Sequence, residues 1–169
     1  MAARLIGALA VAALLAVTGS NAQATDTASR RCPVTAPPAR RGPSPAPFSP
    51  AAFNYGNRLI RVALPAGGRL VAGVLPGGGV MAVINRDGSI SEKLGWWRGV
   101  PGNLVIRGHR LDGQSASLRV DVPPTASYGT TGFIPSMLTY PTVGCWQVVG
   151  RQGRASLAFV LKVSKVKHG

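Results

Sequence analysis

The closest grouping of side chains that could do chemistry is His109 with Asp112 and Ser115, the residue types of a serine hydrolase. The fold usually brings the members of such a triad together, so their proximity in sequence is no evidence for one. The chain also lacks the Gly-x-Ser-x-Gly turn that presents the nucleophile in many hydrolases. The sequence therefore predicts a surface histidine and assigns no catalytic residue.

The acidic residues are too few and too scattered to favour another kind of enzyme. Glycoside cleavage needs two carboxyl groups that face one cleft. After residue 52 the chain has only Asp87, Glu92, Asp112 and Asp121. Asp87 and Asp112 stand in turn sequences, and Asp121 lies two residues from Arg119, so turns and ion pairs explain these acids better.

The two cysteines, Cys32 and Cys145, predict one disulfide if the protein is exported. The alternative is two free thiols, which would leave Cys145 and His109 as a conceivable nucleophile pair. The two cysteines and two histidines have no close ligand spacing, so the sequence predicts no metal site. Nothing in it predicts a cofactor.

The strong positive charge is the feature that most favours a ligand. The chain has 19 Lys and Arg against 5 Asp and Glu. Such a charge attracts polyanions: envelope lipid headgroups, acidic polysaccharides or nucleic acid. We expect contact through basic residues spaced singly on strands, and the candidates are Arg107, Arg119 and Lys162, with Lys165 and Lys167 in the tail. The alternative is that the charge only keeps the protein in solution.

Aromatic residues offer a second candidate surface. Trp97, Tyr128 and Tyr140 could form a platform that stacks on sugar rings or on a partner. Trp96 and Trp97 would face opposite sides of a strand, so one of them should lie in the core. The alternative is that these rings only pack. Proteins that bind nucleic acid typically interleave basic side chains with exposed aromatic ones, and only Trp96-Trp97-Arg98 approaches that pattern. A nucleic-acid ligand is therefore not favoured.

The first 24 residues predict export. Arg4 precedes the apolar run Leu5 to Val17, and Ala22-Gln23-Ala24 has the small-x-small pattern of a cleavage site. We expect residues 1–24 to be a signal peptide and the mature chain to begin at Thr25. The protein would then be periplasmic or secreted. The alternative is an uncleaved signal that anchors the chain. No later stretch is long and apolar enough to span a bilayer.

The elements that position these residues begin after a linker. Residues 25–51 contain half of the 14 prolines and predict an extended or disordered segment. Residues 52–169 alternate short apolar runs with turn residues, which is typical of an all-β antiparallel sandwich or barrel. We predict strands at 58–64, 69–75, 79–85, 89–94, 103–108, 117–122, 145–150 and 155–164. Residues 123–144 predict a long irregular loop.

Two resemblances refine this prediction. Phe133-Ile-Pro-Ser136 and Tyr140-Pro-Thr-Val-Gly-Cys-Trp146, together with segments from residue 90 to 163, resemble a recurrent family of small exported bacterial proteins without an assigned activity. Gly144-Cys-Trp146 is also similar to the step that enters the penultimate strand of immunoglobulin-like domains. That resemblance implies an immunoglobulin-like β-sandwich with Trp146 buried as the corner anchor, Cys145 facing outward, and Val148, Leu157, Phe159 and Leu161 nearby.

Together these observations predict an exported, non-enzymatic β-sandwich that acts at the bacterial envelope by surface recognition of an anionic component. One alternative is a small secreted hydrolase with its site on residues 123–144. Another is a structural module of an envelope complex.

Overall fold

The computed structural model describes residues 32–38, 46, 48–74 and 82–166. Its ten strands are β1 (Tyr55–Gly56), β2 (Ile60–Val62), β3 (Arg69–Ala72), β4 (Val83–Ile84), β5 (Ile90–Arg98), β6 (Val105–Arg110), β7 (Arg119–Asp121), β8 (Gly132–Tyr140), β9 (Gly144–Gln152) and β10 (Ala155–Lys165). Helix in the described part is confined to two 3-10 turns, Pro50–Ala52 and Ala66–Gly68, and one α-helical turn, α1 (Thr125–Tyr128). The predicted signal peptide, much of the predicted linker and Lys167 lie outside the described residues.

The strands form two packed sheets, so the predicted all-β sandwich is confirmed. Sheet I has the order β1-β2-β5-β8-β7, with β4 paired to the start of β5. Sheet II has the order β3-β10-β9-β6. All pairs are antiparallel except β3 with β10. The series β2-β5-β8-β7 and β6-β9-β10 reproduces the A-B-E-D and C-F-G order of the immunoglobulin fold.

The core forms because apolar residues alternate along β9 and β10. Trp146 and Val148 point inward from β9, and Phe159 and Leu161 do so from β10, each almost fully buried. Trp96 lies inward on β5 and its ring packs on Gly150, where a Cβ atom would come within 2.6 Å of the indole. The predicted burial of Trp146 is therefore confirmed, and only glycine fits beneath Trp96.

Trp146 also makes the corner hydrogen bond that a tyrosine makes in immunoglobulin domains. Its indole Nε1 donates to the carbonyl oxygen of Thr142 at 3.0 Å, four residues upstream. The ring of Tyr140 meets the indole edge to face at 5.6 Å. The tryptophan therefore both fills the core and fixes the turn between β8 and β9.

The prediction of an irregular loop over residues 123–144 is wrong from Gly132 to Tyr140. That part forms β8, a nine-residue strand that pairs along its whole length with β5. Pro135 made a central strand improbable because proline cannot donate to a ladder. On its other side, however, β8 pairs with β7 only at Met137 to Thr139, so Pro135 lies at an open edge, where proline is tolerated.

A disulfide holds part of the predicted linker on the outer face of sheet II. The Sγ atoms of Cys32 and Cys145 are 2.09 Å apart and their Cα atoms 5.4 Å apart, so the structure contains the pairing that the sequence predicts. Thr35 donates its N–H to the carbonyl of Val160, and its hydroxyl accepts from the Val160 N–H. Residues 32–38 thus bind β10 where β3 leaves its edge unpaired.

Candidate binding surface

Two of the three predicted basic strand residues are already engaged by acids. Arg119 lies 3.2 Å from the Asp87 carboxylate and also donates to the Ser89 hydroxyl. Lys162 lies 3.5 Å from Asp112. Both are exposed enough for weak surface ion pairs only, yet each positive charge has a negative neighbour. The structure therefore leaves less free charge at these positions than the sequence suggested.

Arg107 differs, because it has a second arginine beside it and no acid. Arg107 pairs with Val149 across β6 and β9, and Val105 pairs with Arg151. Arg107 and Arg151 are therefore diagonal neighbours on the outer face of sheet II. The geometry of an antiparallel pair puts about 7–8 Å between the Cα atoms of such neighbours. Within the described residues, no hydrogen bond or ion pair involves either guanidinium.

These residues line a surface groove of about 480 Å³. We call it the arginine–valine groove, and it is lined by Asn103, Val105, Arg107, Val149, Arg151, Gln152 and Gly153. The two arginines are exposed, and Val105 is 51% exposed although it lies on a regular strand. The groove therefore combines free cations with uncovered apolar surface.

Sequence reasoning missed Arg151 because Gly150-Arg-Gln-Gly153 has the composition of a hairpin turn. In the structure β9 continues through Gln152, so Arg151 keeps the outward orientation of Val149. The alternation that begins at Trp146, continued five residues further, could have found it.

A buried glutamine makes the end of the groove rigid. The Gln152 Nε2 donates to the carbonyls of Val100 at 2.6 Å, Thr130 at 3.0 Å and Gly102 at 3.1 Å. These contacts tie the loop after β5 and the loop before β8 to the end of β9. Arg151 and its neighbours are therefore presented by a fixed backbone.

Arg98 holds the same end of the sandwich from the inside. Its side chain is almost fully buried, and Nη2 donates to the carbonyls of Tyr128 at 2.7 Å and Thr131 at 3.1 Å, while Nε donates to Gly132. Burial lowers the pKa of this guanidinium below its ordinary value. Arg98 is a structural cation that positions the segment before β8 and is not available to a ligand.

The aromatic candidates separate onto two faces. Trp97 and Tyr128 join one cluster on the outer face of sheet I, in which Phe53 lies 6.2 Å from Trp97, and Phe133 lies 6.1 Å from both Phe53 and Tyr128. Phe53 is 4% exposed, whereas Tyr128 remains 37% exposed. Phe53 therefore packs against Trp97 and Phe133, which supports the packing interpretation for Trp97.

Tyr140 lies on the opposite, inward face of β8 and is fully buried. The hypothesis that it belongs to an exposed platform with Trp97 and Tyr128 is therefore wrong. Residues of one strand that differ by an odd number face opposite sides, and Tyr140 and Phe133 differ by seven. The sequence hid this because the strand itself was not predicted.

A carboxyl group is buried beside Tyr140. Glu92 points inward from β5, and its removal from water raises the pKa to about 8. Burial and the neighbouring Glu92 charge also raise the pKa of the Tyr140 hydroxyl. Glu92 is therefore mostly protonated at neutral pH, which makes the protein more positive than its formal charge.

The residues of the hydrolase hypothesis serve other contacts. Asp112 receives hydrogen bonds from the Arg110 Nε at 2.7 Å and the Cys145 N–H at 2.9 Å. Although burial opposes it, these bonds hold the pKa of Asp112 below its ordinary value. Ser115 shares a hydrogen bond with Thr142. His109 is exposed on β6, where it pairs with Gln147 of β9.

The described residues contain no group of three or more His, Cys, Asp and Glu that could hold a metal ion. None of the helices in that part of the chain is long and apolar enough to cross a membrane.

No protein-family model matches this sequence, and no curated protein is significantly similar to it. The function proposed for the arginine–valine groove therefore rests on its geometry and charge.

Proposed function

We propose that this protein is an exported, non-enzymatic binding module that recognises anionic components of the bacterial envelope through the arginine–valine groove. The observation that carries the proposal is the pair Arg107 and Arg151, side by side on a regular sheet face and without an acidic partner among the described residues. Guanidinium groups are the protein's strongest geometric match to carboxylate, sulfate and phosphate.

The distribution of the acids supports the same site. Asp87 pairs with Arg119, and Asp112 pairs with Arg110 and Lys162. The negative charge of each aspartate therefore offsets positive charge at these positions. A groove with uncompensated positive charge attracts anions from a distance and raises their local concentration. The arginine–valine groove is the described part of the surface where two arginines share a concave site.

The proposed location rests on two observations. The Cys32–Cys145 disulfide is of the kind that persists in oxidising compartments, which favours a periplasmic or secreted protein. The signal-like first 24 residues support the same location. Envelope lipids and polysaccharides are the polyanions that such a protein meets.

Binding of dextran sulfate at low and high salt tests the proposal. We expect Arg107→Gln with Arg151→Gln to weaken binding about tenfold or more, which corresponds to about 1.4 kcal/mol. The matched control is Arg58→Gln with Arg86→Gln, which removes the same charge from exposed loop positions and should change binding less than about threefold. Binding should also fade as salt shortens the Debye length from about 10 Å to about 3 Å.

Equal losses in the two double variants would contradict the site and leave only a net-charge effect. Absence of binding at low salt would contradict the proposed function itself.

A further inference from the structure

We propose that the ligand of the arginine–valine groove is an acidic polysaccharide of the uronate class, whose sugar rings lie on Val105 and Val149 while their carboxylates bind Arg107 and Arg151. This inference rests on the proposed function and adds the chemical class of the ligand.

The pattern of the groove floor is the first reason. The register places Arg107 opposite Val149 and Val105 opposite Arg151, so cations and apolar side chains alternate in both directions across β6 and β9. A surface built only to attract phosphate or sulfate has no use for valines between its arginines. A ligand that matches this floor must present anionic and apolar groups at the same spacing.

The exposure of the valine is the second reason. Val105 is 51% exposed at the start of the edge strand β6, with Arg107 two residues along the same strand and Arg151 opposite it on β9. Burial of such apolar surface favours association, and only a ligand with an apolar face can supply it. Inorganic polyphosphate and similar chains have no such face.

A uronate ring has both properties in one unit. The ring presents C–H groups on its faces, and its carboxylate and hydroxyls project from its rim. A ring laid flat on a valine therefore directs its carboxylate sideways toward a neighbouring guanidinium, which binds carboxylates with two parallel hydrogen bonds. The diagonal arginines allow successive anionic groups to be held on either side of one ring.

The shape of the groove favours a chain over a single sugar. Asn103 lines the groove and also a second hollow of about 290 Å³ beside Pro123 and Pro124. The exposed amide of Asn103 lies between the two hollows and can exchange hydrogen bonds with hydroxyls. A polymer can therefore enter at Arg107, pass Arg151 and leave over Asn103.

Calorimetry with three probes tests the inference on the purified chain. Polygalacturonate has rings and charge, its methyl ester has the rings without the charge, and inorganic polyphosphate has the charge without the rings. We expect polygalacturonate to bind at least about tenfold more tightly than polyphosphate of equal charge, and the ester to bind weakest of the three.

The decisive variant is Val105→Thr with Val149→Thr, which keeps size, branching and charge. It should weaken polygalacturonate binding about fivefold or more and change polyphosphate binding less than about twofold. Val83→Thr, at another exposed strand valine, is the control and should change neither. An unchanged melting temperature shows that both variants fold.

The failures are distinguishable. If polyphosphate binds as well as polygalacturonate, or the valine variant changes neither, the uronate inference is overturned while anion recognition by the arginines stands. If anionic phosphatidylglycerol vesicles bind better than polygalacturonate and compete at the groove, the ligand is a lipid surface and the inference is again overturned. If no anionic probe binds, both proposals fail.

Discussion

Both sheets carry buried aromatic rings inside, but the outer face of sheet I carries aromatic rings, whereas the outer face of sheet II at β6 and β9 carries arginines. On β5 of sheet I, Glu92 and Arg98 point inward and Trp97 points outward. On β9 of sheet II, Trp146 points inward and Arg151 outward. The two layers of one sandwich therefore follow opposite patterns on their outer faces.

The difference shows which outer face is available to a ligand. Outside sheet I, Phe53 packs against Trp97 and Phe133 and lies so close to Gly95 that a Cβ there would come within 3.1 Å of its ring. That face works as a second, smaller core. The outer face at β6 and β9 has no such cover among the described residues, so its charges and valines remain exposed. We therefore propose sheet II as the face that recognises a ligand.

The largest expected effect lies in the core that the two sheets share. Trp146→Ala should lower the free energy of unfolding by about 3–5 kcal/mol, because it removes a fully buried indole and the corner hydrogen bond. Chemical denaturation measures the loss. Trp97→Ala, on the half-covered outer face of sheet I, should cost clearly less. A Trp146→Ala protein within about 1 kcal/mol of the parent would contradict the corner assignment.

Removal of the disulfide tests how much the attachment of residues 32–38 to sheet II stabilises the protein. Cys32→Ser with Cys145→Ser should lower the free energy of unfolding by about 4 kcal/mol, because the bond closes a loop across 113 positions. The same loss should follow when a reductant is added to the parent protein, and the reductant should not affect the variant. A parent protein that resists reductant and yields no cross-linked peptide would refute the pairing.

A pair of phenylalanines tests whether the outer face of sheet I is a packing surface. Phe53→Ala should cost about 3 kcal/mol, since its ring is 4% exposed, and should leave anion binding unchanged. Phe48→Ala is the control, because its ring is 63% exposed, and should cost less than about 1 kcal/mol. If both variants are equally stable, sheet I has no second core and the comparison fails.

The buried carboxyl inside sheet I should make stability depend on pH. Glu92 is ionised in the unfolded chain above its ordinary pKa of 4.5, but stays protonated in the folded protein up to about pH 8. Stability from this group is therefore fully present below pH 4.5 and is lost as pH rises toward 8, by about 1.4 kcal/mol per pH unit.

Glu92→Gln should flatten the profile in that window when unfolding is measured from pH 4.5 to 9. Because glutamine does not titrate, the free energy of unfolding of the variant should rise relative to that of the parent as pH rises. An identical pH profile in parent and variant would mean that Glu92 is not held protonated by burial.

The smallest expected effect on stability belongs to the groove. Arg107→Gln with Arg151→Gln should change the free energy of unfolding by less than about 0.5 kcal/mol, although it weakens anion binding. Arg119→Gln with Lys162→Gln breaks two ion pairs and should cost about 0.2–1 kcal/mol per pair. A large loss of stability at the groove would show that its arginines hold the sheet together.

Sequence patterns predicted sheet II better than sheet I for a physical reason. Along β9 and β10, apolar residues alternate with polar or small ones, so the period alone indicates which face is buried. On β5 and β8 both faces are partly covered, and the alternation is therefore blurred. Pro135 and the surrounding turn residues then made β8 resemble a loop.

The class of fold could be predicted from composition and a short-range period, and the disulfide from the count of two cysteines in an exported chain. The burial of Trp146 was implied by the resemblance of Gly144-Cys-Trp146 to immunoglobulin-like domains. The burial of Tyr140 and Glu92, and the position of Arg151 beside Arg107, became visible only in the folded chain. Arg107 and Arg151 lie on strands separated by β7 and β8 in the chain. Their proximity depends on the pairing register of β6 with β9, which the packing of the whole sandwich sets.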